Sequence, residues 1–287
     1  EVATEVATEA AAPAAAPVGT TQTATITVES GRQLIDVIDE KQAPLAAVSP
    51  DGANLAWFTQ TGWFFKKTSE ICLYTFATAA KKCYPMPSEY AGYPYQLRWS
   101  PDSKMIVFTE NPIQLANEPD IWLFTAADGS FVDLTNDGVY GDWRYDSNGA
   151  DALLDYVPTW GPTDGQIYFW RSKPDIGTMN FTGAIYRIAP TGGEPTLVRD
   201  LTTEMADQLP LFDTDLFFLD GYNSISPDGA SMAALISSIN MTGTITPNLW
   251  QISLADPSVA PKQLMSYADF QKAMPNWASA PAQPGGL

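Results

Sequence analysis

The chain has 287 residues, with 15 Lys and Arg against 33 Asp and Glu, a formal net charge of -18, and no histidine. That balance excludes a nucleic-acid binder, whose surface must neutralise phosphates, and docking on an anionic lipid face through charge. The missing imidazole excludes Ser-His-Asp and Cys-His nucleophile systems and His-ligated zinc or haem, so any catalysis runs on carboxylates, Tyr, Lys or a metal held by oxygens. Hydrophobic residues at 45%, with 9 Trp, 12 Tyr and 13 Phe, supply a large core, while the 17% of charged residues disfavours a helical protein.

Residues 1–23 are rich in Ala, Pro and Thr, with Glu-Val-Ala-Thr given twice in tandem. This composition cannot build a core and reads as a linker or tether; a short helix through Ala10–Ala12, ended by Pro13 and Pro17, is the alternative. A start at Glu1 without a signal-type segment fits a mature export product or a cut fragment, and a lipid anchor or tether at the N-terminus is compatible with it. No run of 18 apolar residues is present to span a membrane. Residues 24–287 are expected to form the folded domain.

Cys72 and Cys83 flank a turn at Ala77 and Thr78. A hairpin with that turn pairs residues whose numbers sum to 155, which sets the two cysteines opposite each other within disulfide reach. Two inert buried thiols are the alternative. A bridge implies an oxidising, extracytoplasmic location, the periplasm or cell surface.

A four-residue signature recurs at Ser49-Pro50-Asp51-Gly52, Ser100-Pro101-Asp102-Ser103 and Ser226-Pro227-Asp228-Gly229, with a degenerate copy at Gly161–Gly165, at intervals of 51, 61 and 65 residues. Apolar runs follow at Asn54–Phe58, Met105–Thr109, Gln166–Trp170 and Ser231–Ile236. A second apolar run returns at Ile71, Ile121, Ile185 and Leu249, which lie 22, 21, 24 and 23 residues after the signature starts. A turn and a closing strand, such as Phe131–Thr135 or Thr196–Arg199, complete each unit. Four strands at this period predict propeller blades. Pro sets the turn, Asp bonds its amides and Gly accepts positive φ, so the signature is architectural.

The string Leu97-Arg98-Trp99-Ser100-Pro101-Asp102, with Asp120-Ile121-Trp122-Leu123-Phe124 and Asp133-Leu134-Thr135, resembles the repeat of TolB-like β-propellers, found also in the propeller domains of prolyl oligopeptidase-type enzymes. The resemblance covers roughly residues 24 to 280 and implies fold rather than activity. The peptidase activity is not implied, since no hydrolase domain, Gly-x-Ser-x-Gly elbow or histidine base is present. Arg32-Gln33-Leu34-Ile35 and Lys262-Gln263-Leu264-Met265 read as equivalent outer strands, and Met274–Trp277 as an inner strand. The expected fold is therefore all-β, a propeller of about five four-stranded blades, the last assembled from both termini with Ala24–Val28 and Arg32–Ile38.

Two stretches fall outside the repeat. Thr202–Gly221 is expected to form a strand pair, Leu209–Phe212 with Asp215–Leu219. Asp137–Asp155 brings Trp143 and Tyr145 between acids, so Asp142, Trp143, Tyr145 and Asp146 are the candidate partner-binding residues. Asp142, Asp146, Asn148, Asp151 and Asp155 offer oxygens to calcium, although their spacing differs from an EF-hand; no other cofactor is expected. Most acids occur in repeat turns or in the two insertions, with no evident convergence on a central funnel. The leading expectation is thus a non-catalytic interaction propeller, with protein partners in the cell envelope or at the surface. A glycan-binding or carboxylate-dependent glycoside hydrolase propeller is the alternative, and a structural surface-layer repeat a third reading.

Overall fold

A computed structural model describes residues 46–61, 68–88, 94–110, 117–139, 141–142, 145, 149–175, 180–181, 183–205, 216–239 and 245–273. The chain divides into two compact units, Glu1–Asp39 and Glu40–Leu287, and every described residue belongs to the second.

Each repeat folds as a four-stranded antiparallel sheet whose strands follow in chain order apart from short insertions. Blade 1 is β1 (Ala46–Val48), β2 (Asn54–Thr61), β3 (Thr68–Thr75) and β4 (Ala80–Pro85). Blade 2 is β5 (Pro94–Trp99), β6 (Met105–Glu110), β8 (Ile121–Thr125) and β9 (Ser130–Asp133), with the short β7 (Asn117–Glu118) inserted before β8. After β10 (Gly141–Asp142), blade 3 comprises β11 (Leu154–Trp160), β12 (Ile167–Ser172), β15 (Ala184–Ile188) and β16 (Thr196–Asp200). The two-residue β13 (Pro174–Asp175) and β14 (Asn180–Phe181) pair within it. Blade 4 is β17 (Leu216–Ile225), β18 (Ser231–Ile239), β19 (Ile245–Ser253) and β20 (Lys262–Met265). Helices are confined to α1 (Leu201–Glu204) and α2 (Tyr267–Ala273) among the described residues. This is an all-β propeller.

The apolar runs are continuous because both faces of each inner sheet are covered. Ile106 and Phe108 on β6 pack with Phe58 and Ile71 of blade 1, while Val107 between them packs with Trp160 and Phe169 of blade 3. Trp170, Ile185, Met232, Ile236 and Trp250 fill the space between blades 3 and 4. Strand alternation therefore sends successive side chains into two different interblade cores.

In the turns, Ser49, Ser100 and Ser226 each donate a hydroxyl hydrogen bond to Asp51, Asp102 and Asp228, at 2.6, 2.7 and 2.6 Å. Asp51 and Asp228 in turn accept amides from Ala53 and Ala230. These bonds favour the ionised carboxylates and hold their pKa values down. The fourth position takes positive φ throughout, +71° at Gly52 and +75° at Gly229, and Ser103 adopts +62° where glycine is absent. Trp99 and Trp160, just before the signature, donate their indole N–H to the Ala47 and Arg98 carbonyls of the preceding blade, at 3.0 and 3.1 Å.

Cys72 and Cys83 are cross-strand partners on β3 and β4 and form a disulfide. The KQLM segment is the outer strand β20 of blade 4. Leu216–Leu219 pair with Ile236–Ile239 of β18 and so extend the blade's inner strand, while Leu209–Phe212, their expected partners, lie outside the described residues. Residues 24–38 and 274–287, on which the composite last blade depends, lie outside the described residues.

Candidate functional site

At the end of β6 and the start of β8, blade 2 gathers carboxyls that blade 3 covers. Glu110, the last residue of β6, accepts the Asp120 amide at 3.0 Å and the Trp122 indole N–H at 3.1 Å. Thr135 follows β9; its hydroxyl donates to Asp120 at 3.0 Å and accepts the Ile121 amide at 2.9 Å. The Asp120 and Thr135 pair thus fastens the third strand to the chain beyond the fourth. Asp133 adds a weaker bond from the Thr135 amide at 3.3 Å.

Asp155, on the inner strand β11, is fully buried and takes a two-pronged ion pair from Arg171, its cross-strand partner, at 2.8 and 2.6 Å. Its backbone is locked to blade 2 from both sides, the amide donating to Pro119 and the carbonyl accepting the Thr109 hydroxyl. Two residues on, Val157 has φ +59° within a bulge of β11, a conformation that a β-branched residue holds only under packing constraint. Asp137 accepts the Val139 and Leu153 amides at 2.9 and 2.7 Å. Glu118, on β7, is only 4% exposed, and neither of its carboxylate oxygens has a hydrogen-bond partner.

Six carboxyls therefore face one another across the junction of blades 2 and 3. Glu118 feels the charges of Asp120, Asp137, Asp155 and Glu110, and Asp120 those of Asp133, Asp155 and Glu110. Among the described residues, Arg171 is the cation that enters the balance, bonding Asp155 and acting on Asp137. Loss of water raises the pKa of all six. Burial pushes Glu110 up to about 8, against the opposing pull of its two donors. Burial also raises Asp155, but Arg171 limits the rise to about 6. For Glu118 and Asp120, burial is the first cause and their like-charged neighbours the second.

The acids thus converge at the junction of blades 2 and 3, a gathering that a search for a central funnel does not reveal. The sequence places Glu110 at the end of an apolar strand and Glu118 and Asp120 just before another, but nothing local in it tells a buried strand-end acid from an exposed one. Of the candidate partner-binding residues, Asp142 lies on β10 and pairs with Asn117, beside Glu118, and Tyr145 is 85% exposed. Trp143 and Asp146 lie outside the described residues, as does Asn148. Of the residues read as calcium ligands, Asp151 is exposed in a short turn and Asp155 is buried against Arg171.

No protein-family model matches the chain, and no curated protein does. Solved structures do. An oligogalacturonate lyase in complex with manganese matches at 14% identity and TM-score 0.45, covering 77% of this chain and 52% of that one. The β-propeller domain of the Trilobed protease from Pyrococcus furiosus matches at 10% identity and TM-score 0.40, covering 78% and 58%. The acylaminoacyl peptidase of Pyrococcus horikoshii matches at 11% identity and TM-score 0.42, covering 75% and 31%. The chain thus spans between about a third and three fifths of those chains. The expectation of a non-catalytic interaction module is corrected at this point. Carboxyls of blades 2 and 3 gather at one junction and act on one another there, an arrangement that the interaction-module reading did not include.

Proposed function

We propose that this propeller is a carboxylate-dependent enzyme acting on glycans, with Glu110 and Asp155 as its working carboxyls. The observation that carries the reading is the convergence of carboxyls from two blades in different hydrogen-bonding environments. Glycoside hydrolysis needs one carboxyl that arrives protonated at the leaving oxygen and another that is ionised as base or nucleophile. Glu110, raised to about 8, keeps its proton near neutrality, while Asp155, held by Arg171 at about 6, is ionised there. This chemistry needs no histidine, and the chain has none. A sugar approaches along the β7 and β10 edge, where the exposed Tyr145 presents an aromatic side chain. Action outside the cytoplasm belongs to the same reading and is supported by the Cys72–Cys83 bridge; kinship with TolB-like propellers is supported by the recurring Ser-Pro-Asp-Gly turns.

The test is a panel of neutral and basic polysaccharides and their oligomers, incubated with the full chain between pH 5 and 7 and followed by release of reducing ends. Glu110→Gln and Asp155→Asn should each lower turnover by about 10²-fold or more while circular dichroism stays unchanged. No release from any member of the panel, or unaltered rates in both variants, would sink the reading. A new double bond in the products would assign elimination instead of hydrolysis.

A further inference from the structure

Glu118 is in a position that neither protonation state satisfies. As a carboxylate it is a buried anion surrounded by other acids, with no cation among the described residues bonded to it. As a neutral acid it carries a hydroxyl that needs an acceptor, and neither oxygen has any partner within bonding distance. Buried polar groups are almost always bonded, and a charge removed from water is retained only when compensated. The other carboxyls of the cluster differ in this respect. Glu110 spends its oxygens on Asp120 and Trp122, Asp155 on Arg171, and Asp137 on two amides.

We propose that this cluster binds a divalent cation that favours oxygen ligands, calcium or magnesium, with Glu118 as its direct ligand and the remaining carboxyls reached through the ion's own water shell. The breadth of the cluster decides for a hydrated ion. Among the described residues, the one group of three acidic or sulfur donors close enough to chelate outright is Glu70 with Cys72 and Cys83, whose sulfurs are already committed to the disulfide. The carboxyls around Glu118 stand farther apart than that. Magnesium keeps several waters in protein sites, and calcium accepts mixed shells of carboxylate and water. The waters would donate to the carboxylates around them, so one ion answers both the missing charge and the missing hydrogen bonds. The assignment shares its surroundings with the hydrolytic reading, since Glu110 and Asp155 would face the ion's waters, but its direct ligand, Glu118, takes no part in that reading.

The full chain, stripped with chelator and dialysed into metal-free buffer, is titrated calorimetrically with calcium chloride and magnesium chloride. In parallel, the metal content of the protein as purified is measured by mass spectrometry of the elements. Binding of one equivalent of either ion is expected, with a higher melting temperature than the same ionic strength of sodium chloride produces. Glu118→Gln should abolish both effects, while Glu194→Gln, an exposed acid on blade 3, should leave them intact. Absence of heat and of any specific thermal shift at millimolar calcium and magnesium would overturn the proposal, as would wild-type binding by Glu118→Gln. If that variant does not fold, the wild-type titration alone decides. Stoichiometric binding without any glycan cleavage would leave the cation site standing and remove the enzyme.

Discussion

Glu110 shows what burial does to one carboxyl. Its oxygens take two donors, Asp120 N–H and Trp122 Nε1–H, and it faces Asp120, Asp133 and Glu118, with Arg171 bonded to Asp155 rather than to it. An unfolded chain would ionise this group above about 4.5, whereas the fold keeps it protonated up to about 8. Between those values folding takes up a proton, so the contribution of Glu110 to stability falls as pH rises through that window and is constant above it. Asp155 acts in the same direction between 3.8 and about 6. In chelator-treated protein, Glu110→Gln should therefore gain on wild type with pH, by on the order of 2 kcal/mol or more at pH 8 relative to pH 5. Urea unfolding at the two pH values measures this, and parallel curves for the two proteins would refute it. A cation at Glu118 would lower these pKa values and flatten the wild-type curve.

The blade is built from elements that reach into their neighbours. Each sheet uses alternate side chains for two cores, and the tryptophan before the signature ties it to the preceding inner strand. Arg199 does a similar job at the outer edge. It is buried on β16, pairs with Glu204 in α1, and donates to the carbonyls of Ser253 and Val259 in blade 4. Trp160→Phe keeps most of the apolar surface but leaves the Arg98 carbonyl without its indole donor. A loss of about 1–2 kcal/mol in chemical denaturation is expected, with an unchanged circular dichroism spectrum at zero denaturant. An unaltered midpoint would show that the bond does not contribute. The register of β3 and β4 was legible beforehand, because a two-residue turn determines which cysteines face each other; the extension of β17 was not, because Leu216–Leu219 find their partners 20 residues downstream on β18.

Over the whole molecule, an excess of acids gives a formal charge of -18, carried by acids that stay ionised, such as Asp51, Asp102 and Asp228 in the exposed turns. Self-repulsion of this kind opposes the compact state and is weakened by salt. Sodium chloride raised from about 10 mM to about 0.3 M shortens the screening length from roughly 30 Å to less than 8 Å. The chelated protein should then melt about 2–4 °C higher, the response of a large domain to about 1 kcal/mol. A falling melting temperature would mean that attractive pairs such as Asp155 with Arg171 outweigh the repulsion.

The sequence by itself determined the repeat: the turn residues, the order of four strands, the disulfide register and the apolar runs are local patterns, set by dihedral preference and side-chain alternation. Only the tertiary structure decided the site. Glu110, Glu118 and Asp120 lie within one short stretch, yet an acid near a strand end looks the same in sequence whether it faces solvent or another blade. β11 arrives from the next repeat, covers these acids and adds Asp155, and β12 adds Arg171. Burial depends on that packing between blades, and burial is what raises the pKa of six otherwise ordinary carboxyls.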